Sequence, residues 1–208
     1  MTRSVPARGA AVAVGILIVG AGLSLSASGA GQAAPSAPKP MAKPAAAGAT
    51  SAVVARGKHL VESSGCHDCH TPAKMGENGP EPDMARMLSG HPADIAVGAP
   101  PQLSGVWMAA ASNTFTAWAG PWGISYTRNL TPDKETGLGS WTAQQFVDTI
   151  KNGREQGHGR QLLPPMPWPA YRNMTNADLR AIFAYLQTIP AVKNKVPDPV
   201  IAPPPPAK

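Results

Sequence analysis

Apolar residues recur at helical spacing in three stretches of the chain, and no segment alternates convincingly at strand spacing. Val53, Val54, Gly57, Leu60 and Val61 fall on one face of a helix predicted over 51–64. A second helix is predicted over 142–153. Thr142 and Gln145 make a capping-box pattern, Phe146 and Ile150 stand four apart, and Gly153 ends the run. A third is predicted over 176–188, with Thr175 as N-cap, Asp178 three residues on, an apolar stripe of Leu179, Ile182, Phe183, Leu186 and Ile189, and Pro190 as the stop. Between the first two helices the stretch 72–140 is rich in Pro and Gly and reads as irregular. The pattern predicts an all-α fold of three to four helices with long irregular connections.

The two ends of the chain read differently from this middle. Arg3 and Arg8 precede an almost wholly apolar run over 10–27, and small residues follow, with Ser28-Gly29-Ala30 or Gly31-Gln32-Ala33 at cleavage positions. This predicts a signal peptide over 1–33; the competing reading is an uncleaved membrane anchor. Residues 34–50 are an Ala/Pro-rich linker, and 191–208 a Pro-rich tail ending in four prolines, Pro203 to Pro206. The folded domain is expected over 51–190.

Composition sharpens this picture. With 43% hydrophobic and 14% charged residues the chain is neither a disordered polyelectrolyte nor a multi-span membrane protein. Only 3 Phe and 3 Tyr are present, so a core of side chains alone would be small, and a buried cofactor would supply apolar mass. The formal charge of +6 is scattered, with no basic block interleaved with aromatics, which speaks against nucleic-acid binding.

The chemistry concentrates in one motif. The chain has 2 cysteines, Cys66 and Cys69, and His70 follows at once. Two thiols three residues apart are spaced to bond the two vinyl groups of one porphyrin, and the next residue then ligates its iron through a neutral imidazole nitrogen. The motif therefore predicts one haem c, covalently bound through Cys66 and Cys69, with His70 as an axial iron ligand. A disulfide leaves His70 unexplained, a thioredoxin-like dithiol needs a strand–helix context, and a zinc site needs a fourth ligand.

With these residues in hand the chain resembles the class I cytochrome c family over about 51–190. A helix containing Gly57 leads into Cys66-His67-Asp68-Cys69-His70. A methionine follows in the proline-rich loop Pro164-Pro165-Met166-Pro167-Trp168, and the last helix carries Leu179 to Leu186. A narrower likeness is to the larger bacterial cytochrome c subunits of membrane-linked dehydrogenases, through Gly120-Pro121-Trp122-Gly123, Asn129-Leu130-Thr131-Pro132-Asp133 and Glu135-Thr136-Gly137-Leu138-Gly139. The resemblance implies a helix bundle around one haem, with the first helix crossing the last near Gly57 and Ile182 or Tyr185. It implies Met166 as second axial ligand, with Met174, His158 and His91 as rivals. It also implies one-electron transfer in the periplasm, with no bond chemistry at a six-coordinate iron. Redox partners would be a dehydrogenase, an oxidase or a bc1-type complex, with membrane association through the N-terminal segment or the partner. An open axial site would instead make a haem enzyme or gas-binding protein. Trp107, Trp118, Trp122, Trp141 and Trp168 are candidates for lining the pocket, and Arg128 and Asn129 for holding a haem propionate.

Overall fold

The computed structural model describes residues 46–203. The apolar run over 10–27, its cleavage positions and the last prolines lie outside the described residues. No helix among the described residues is long and apolar enough to cross a membrane.

The three helices predicted from periodicity are present: α1 (Ala46–Ser63), α3 (Ala143–Asn152) and α5 (Asn176–Leu186), with short helices α2 (Cys66–His70) and α4 (Trp168–Tyr171) beside the site. Their ends follow from local chemistry. Thr142 and Gln145 form a complete capping box on α3, and Gly153 closes that helix in the left-handed region. The Thr175 hydroxyl accepts from the Asp178 amide at 3.0 Å and starts α5.

The core lies between these helices. Leu60 and Val61 of α1, Phe146, Val147 and Ile150 of α3, and Leu179, Ile182, Phe183 and Leu186 of α5 form one buried cluster. Phe146 and Phe183 meet with ring centroids 5.6 Å apart. Val53, placed on the buried face by spacing, is instead 44% exposed, one helical turn before the close approach at Gly57. Helices α1 and α5 touch backbone to backbone. A Cβ on Gly57 would stand 1.9 Å from the Ala181 carbonyl oxygen and 2.9 Å from the Tyr185 Cβ. Arg56 reaches across to Asp178 at 3.0 Å, and this partner, with the Thr175 hydroxyl, holds the Asp178 carboxyl below its usual range.

The fold is not all-α. Two antiparallel sheets are present among the described residues, with five of their six strands in the stretch 72–140 read as irregular and the sixth in the segment read as a tail. Strands β1 (Ala73–Gly76) and β2 (Gly79–Pro82) form a hairpin. Strands β3 (Ala110–Ala111), β4 (Ala117–Gly120), β5 (Gly123–Tyr126) and β6 (Val200–Ile201) form a four-stranded sheet in that order. Periodicity missed them for a physical reason. They are two to four residues long and made largely of Ala, Gly and Pro, residues depleted in strands, so no alternation can develop. The two hairpin turns, Glu77-Asn78 and Pro121-Trp122, were the legible signals: each is a pair of residues closed by a glycine.

Residues 191–203 are extended but pack against the domain. Val196 is buried, and β6 adds an edge to the sheet beside β5. The Asn194 amide donates to the carbonyls of Ser89 at 2.7 Å and His91 at 2.8 Å, and its oxygen accepts from the Ala93 amide at 2.9 Å. Asn129 Nδ2 donates to the Val192 carbonyl at 2.8 Å.

Two outcomes are expected. Gly57→Ala should destabilise the fold by about 1–3 kcal/mol, because the contact it creates is with backbone, and this outweighs the helix-propensity gain of about 1 kcal/mol. A thermal melt checks it; an unchanged midpoint would place the α1–α5 crossing elsewhere. Asn194→Ala should cost about 1–3 kcal/mol by leaving the buried carbonyls of Ser89 and His91 without a donor. Chemical denaturation with an unchanged slope and a lower midpoint is the expected result.

Candidate haem site

Helix α1 ends at Ser63, and after a turn at Ser64-Gly65 the chain enters α2, whose five residues are the Cys66–His70 motif. The short helix brings both thiols and the imidazole to one cavity of about 720 Å³, within the range of about 300–1,000 Å³ common for small-molecule and cofactor sites. Leu138, Trp141, Phe146, Ile150, Leu162, Leu179, Ile182 and Leu186 give this cavity a predominantly apolar wall.

His70 is buried, and its Nδ1 donates to the Arg128 carbonyl at 2.7 Å, which leaves Nε2 as the unprotonated nitrogen of the neutral ring. Burial pushes the His70 pKa down, against a smaller raising effect of that hydrogen bond, so the imidazole is neutral at neutral pH. A neutral ring with its second nitrogen committed to a carbonyl is the form in which histidine serves as a metal ligand. Cys66 and Cys69 are both free thiols, half-buried at the cavity wall. Burial, with the nearby Asp68 charge, pushes the Cys66 thiol up to about 11 and raises Cys69 in the same way. Neither thiol therefore has the lowered pKa that marks a reactive cysteine. Among the described residues no group of three or more His, Cys, Asp or Glu is arranged to hold a metal ion.

Met166 lines the same cavity from the loop 162–167. That loop is pinned at several points. The Leu162 amide donates to the Gly153 carbonyl at 2.9 Å, the Ser125 hydroxyl to the Pro164 carbonyl at 2.5 Å, and the Met166 amide to the Leu163 carbonyl at 3.2 Å. Tyr171, just beyond, donates its hydroxyl to the Ser64 carbonyl at 2.5 Å and ties α4 to the entrance of the motif.

The rivals of Met166 fare differently. Met174 also reaches the cavity wall. His91 is away from it, and both its ring nitrogens are engaged, by Thr116 Oγ1 at 2.9 Å and the Ile95 carbonyl at 2.9 Å. His158 caps a short 3₁₀ turn and does not line the cavity. Of the five tryptophans only Trp141 lines it; Trp107 is 74% exposed. Asn129 and Arg128 both border the cavity, yet the Asn129 amide is spent on Thr131, Thr136 and Val192. Arg160, which no motif singled out, also lines it. Burial, with the Arg128 charge, disfavours its cation, and only tertiary packing brings the two guanidiniums near each other.

The donor set fits a covalently bound haem. It offers two thiols, a neutral imidazole and a thioether around an apolar cavity, with cationic groups at the same wall for a cofactor that carries carboxylates.

Comparison with known proteins agrees with this chemistry. Over 89 residues the chain is 35% identical to the fructose dehydrogenase cytochrome subunit of Gluconobacter japonicus, covering 40% of this chain and 18% of that protein. With the gluconate 2-dehydrogenase cytochrome c subunit of Pantoea cypripedii it shares 28% identity over 137 residues, covering 66% and 23%. It is 33% identical over 81 residues to the cytochrome c subunit of the quinone-type alcohol dehydrogenase of Gluconobacter oxydans, covering 38% and 17%. The chain thus spans less than a quarter of the length of these relatives. The family model described as Cytochrome c matches residues 54–190, from the middle of α1 to the proline that follows α5. That span takes in well over half of the chain, with the motif helix and most of the cavity wall, so the chain belongs to the cytochrome c family, which implies a covalently bound haem c.

Proposed function

We propose that this chain is a periplasmic one-electron carrier with a single haem c, attached through Cys66 and Cys69 and ligated by His70 and Met166. The observation that carries the reading is the convergence of these four side chains, from α2 and from a loop nearly a hundred residues later, on one apolar cavity. When bound, haem supplies a one-electron ferric/ferrous couple. The protein's part is positional. Cys66 and Cys69 fix the cofactor in place, His70 presents a neutral imidazole held by Arg128, and the apolar wall excludes water. A thioether from Met166 raises the potential relative to a second imidazole. His70 and Met166 would together hold the iron, and with both bound to it no position would remain for a substrate. Arg160 stands at the wall as a counter-charge for a propionate.

The electron partner is proposed from the relatives. The three named above are cytochrome subunits of a fructose, a gluconate and an alcohol dehydrogenase. A dehydrogenase of that kind is the donor that this chain would serve, and export through the segment 1–33 would bring it to the same compartment. The two cysteines of this chain suffice for one haem.

Replacing both Cys66 and Cys69 by Ala should abolish covalent haem staining on a denaturing gel, and each single change should reduce it. Full staining in the double variant is the result that would sink the attachment site. Met166→Ala should remove the weak red-end absorption band of methionine-ligated ferric haem, lower the reduction potential and make the ferrous spectrum sensitive to carbon monoxide. Met166→His should restore six-coordination at a lower potential than the unaltered protein. Met174→Ala should retain the band. Loss of the band in Met174→Ala alone would transfer the ligand role to Met174 and leave the haem reading intact.

A further inference from the structure

The geometry points to Arg128 as a positioning residue through which the C-terminal segment 192–198 sets the orientation of the axial His70. The inference rests on the reading of His70 as an iron ligand.

The main chain of Arg128 provides the carbonyl that accepts from His70 Nδ1 at 2.7 Å. Two independent features fix where that carbonyl stands. On one side is Gly90, whose amide donates to the His70 carbonyl at 2.8 Å. Gly90 has φ +77°, and a Cβ there would lie 2.4 Å from the Thr127 oxygen and 2.7 Å from the Arg128 oxygen. The backbone of 127–128 therefore rests directly on a glycine that is itself bonded to the ligand residue. On the other side is the Arg128 side chain. Its Nη1 donates to the carbonyls of Val196 at 3.3 Å and Pro197 at 3.2 Å, and its Nη2 pairs with Asp198 at 3.2 Å.

The segment that Arg128 grips is anchored in turn. Val196 is buried, Asn194 bonds to Ser89 and His91, which flank Gly90, and the Val192 amide donates to Thr131 Oγ1 at 3.1 Å. Residues 89–91, 127–131 and 192–198 thus close into one ring of hydrogen bonds behind the imidazole. Asp198 is 93% exposed, so its ion pair adds little. The weight falls on the two carbonyl bonds, both made by Nη1, which stands one bond farther from the backbone than a lysine nitrogen reaches. The hydrogen bond on the second ring nitrogen fixes the tautomer, rotation and basicity of a ligating histidine. A grip on Arg128 is therefore a grip on His70. The same guanidinium could instead serve a haem propionate, and the experiment separates the two.

The test uses the full chain matured with covalent haem and then reduced. Exchange of the His70 Nδ1 proton with deuterium is followed by NMR, and the reduction potential is measured across pH. Arg128→Lys and Arg128→Ala should each accelerate that exchange by about tenfold or more through local opening. Lys193→Ala, in the same segment but paired at 2.7 Å with Glu135, should leave it unchanged. If Arg128→Ala does not accumulate, Arg128→Lys carries the comparison. Unchanged exchange in the Arg128 variants overturns the inference. So does an altered pH dependence of the potential with unchanged exchange, which assigns Arg128 to a propionate. Failure of the underlying reading looks different: His70 ring resonances without the displacement of an iron-bound imidazole, already in the unaltered protein.

Discussion

At Gly57 the backbone of α1 lies against the Ala181 carbonyl of α5 with no room for a single additional carbon. The rest of the site depends on that approach. Helix α1 runs directly into the Cys66–His70 helix, and α5 is preceded by α4 and the Met166 loop. Crossing the two helices at closest range brings both ends of the domain to one cavity. Tyr171 to Ser64 and Arg56 to Asp178 then tie the elements on either side of the crossing. A side chain at position 57 would meet the Ala181 carbonyl and force the helices apart.

The wall of the cavity is largely apolar, and this shapes its chemistry. Burial drives His70 to the neutral form and holds both thiols protonated, one of them at about 11. These are poor conditions for thiolate chemistry and good ones for a neutral ligand and an apolar cofactor. The few large aromatics of the chain are thereby explained. Phe146 and Phe183 meet between α3 and α5, Trp141 and Tyr171 line the cavity, and a porphyrin would fill the remaining space.

The Pro/Gly-rich stretch between β1 and α3 and the extended segment after α5 act together. The first supplies the carbonyl behind His70, and the second holds the residue that bears it. Short strands and loops are suited to this role. Their backbone carbonyls are not consumed by a helix, so they can be aimed at a side chain, and Asn129, Thr131 and Asn194 replace the regular ladder with side-chain bonds.

The amino-acid sequence by itself determined the three main helices, the N-caps of α3 and α5, and the haem motif, whose helical form the structure added. Each rests on contacts within a few residues: Thr142 with Gln145, Thr175 with Asp178, Cys66 with Cys69 and His70. Local periodicity carries such information because it is set by the 3.6-residue turn. Two features were decided only by tertiary structure. The small sheets consist largely of Ala, Gly and Pro, whose strand character comes from the partner strand and not from their own pattern. The supports around the site, with Arg128 behind His70, Arg160 at the cavity wall and Asn194 across 89–93, join residues far apart in the chain. No spacing rule links position 70 to 128 or 89 to 194. Those pairs exist because α1 and α5 close against each other and draw the irregular segments into the space that remains.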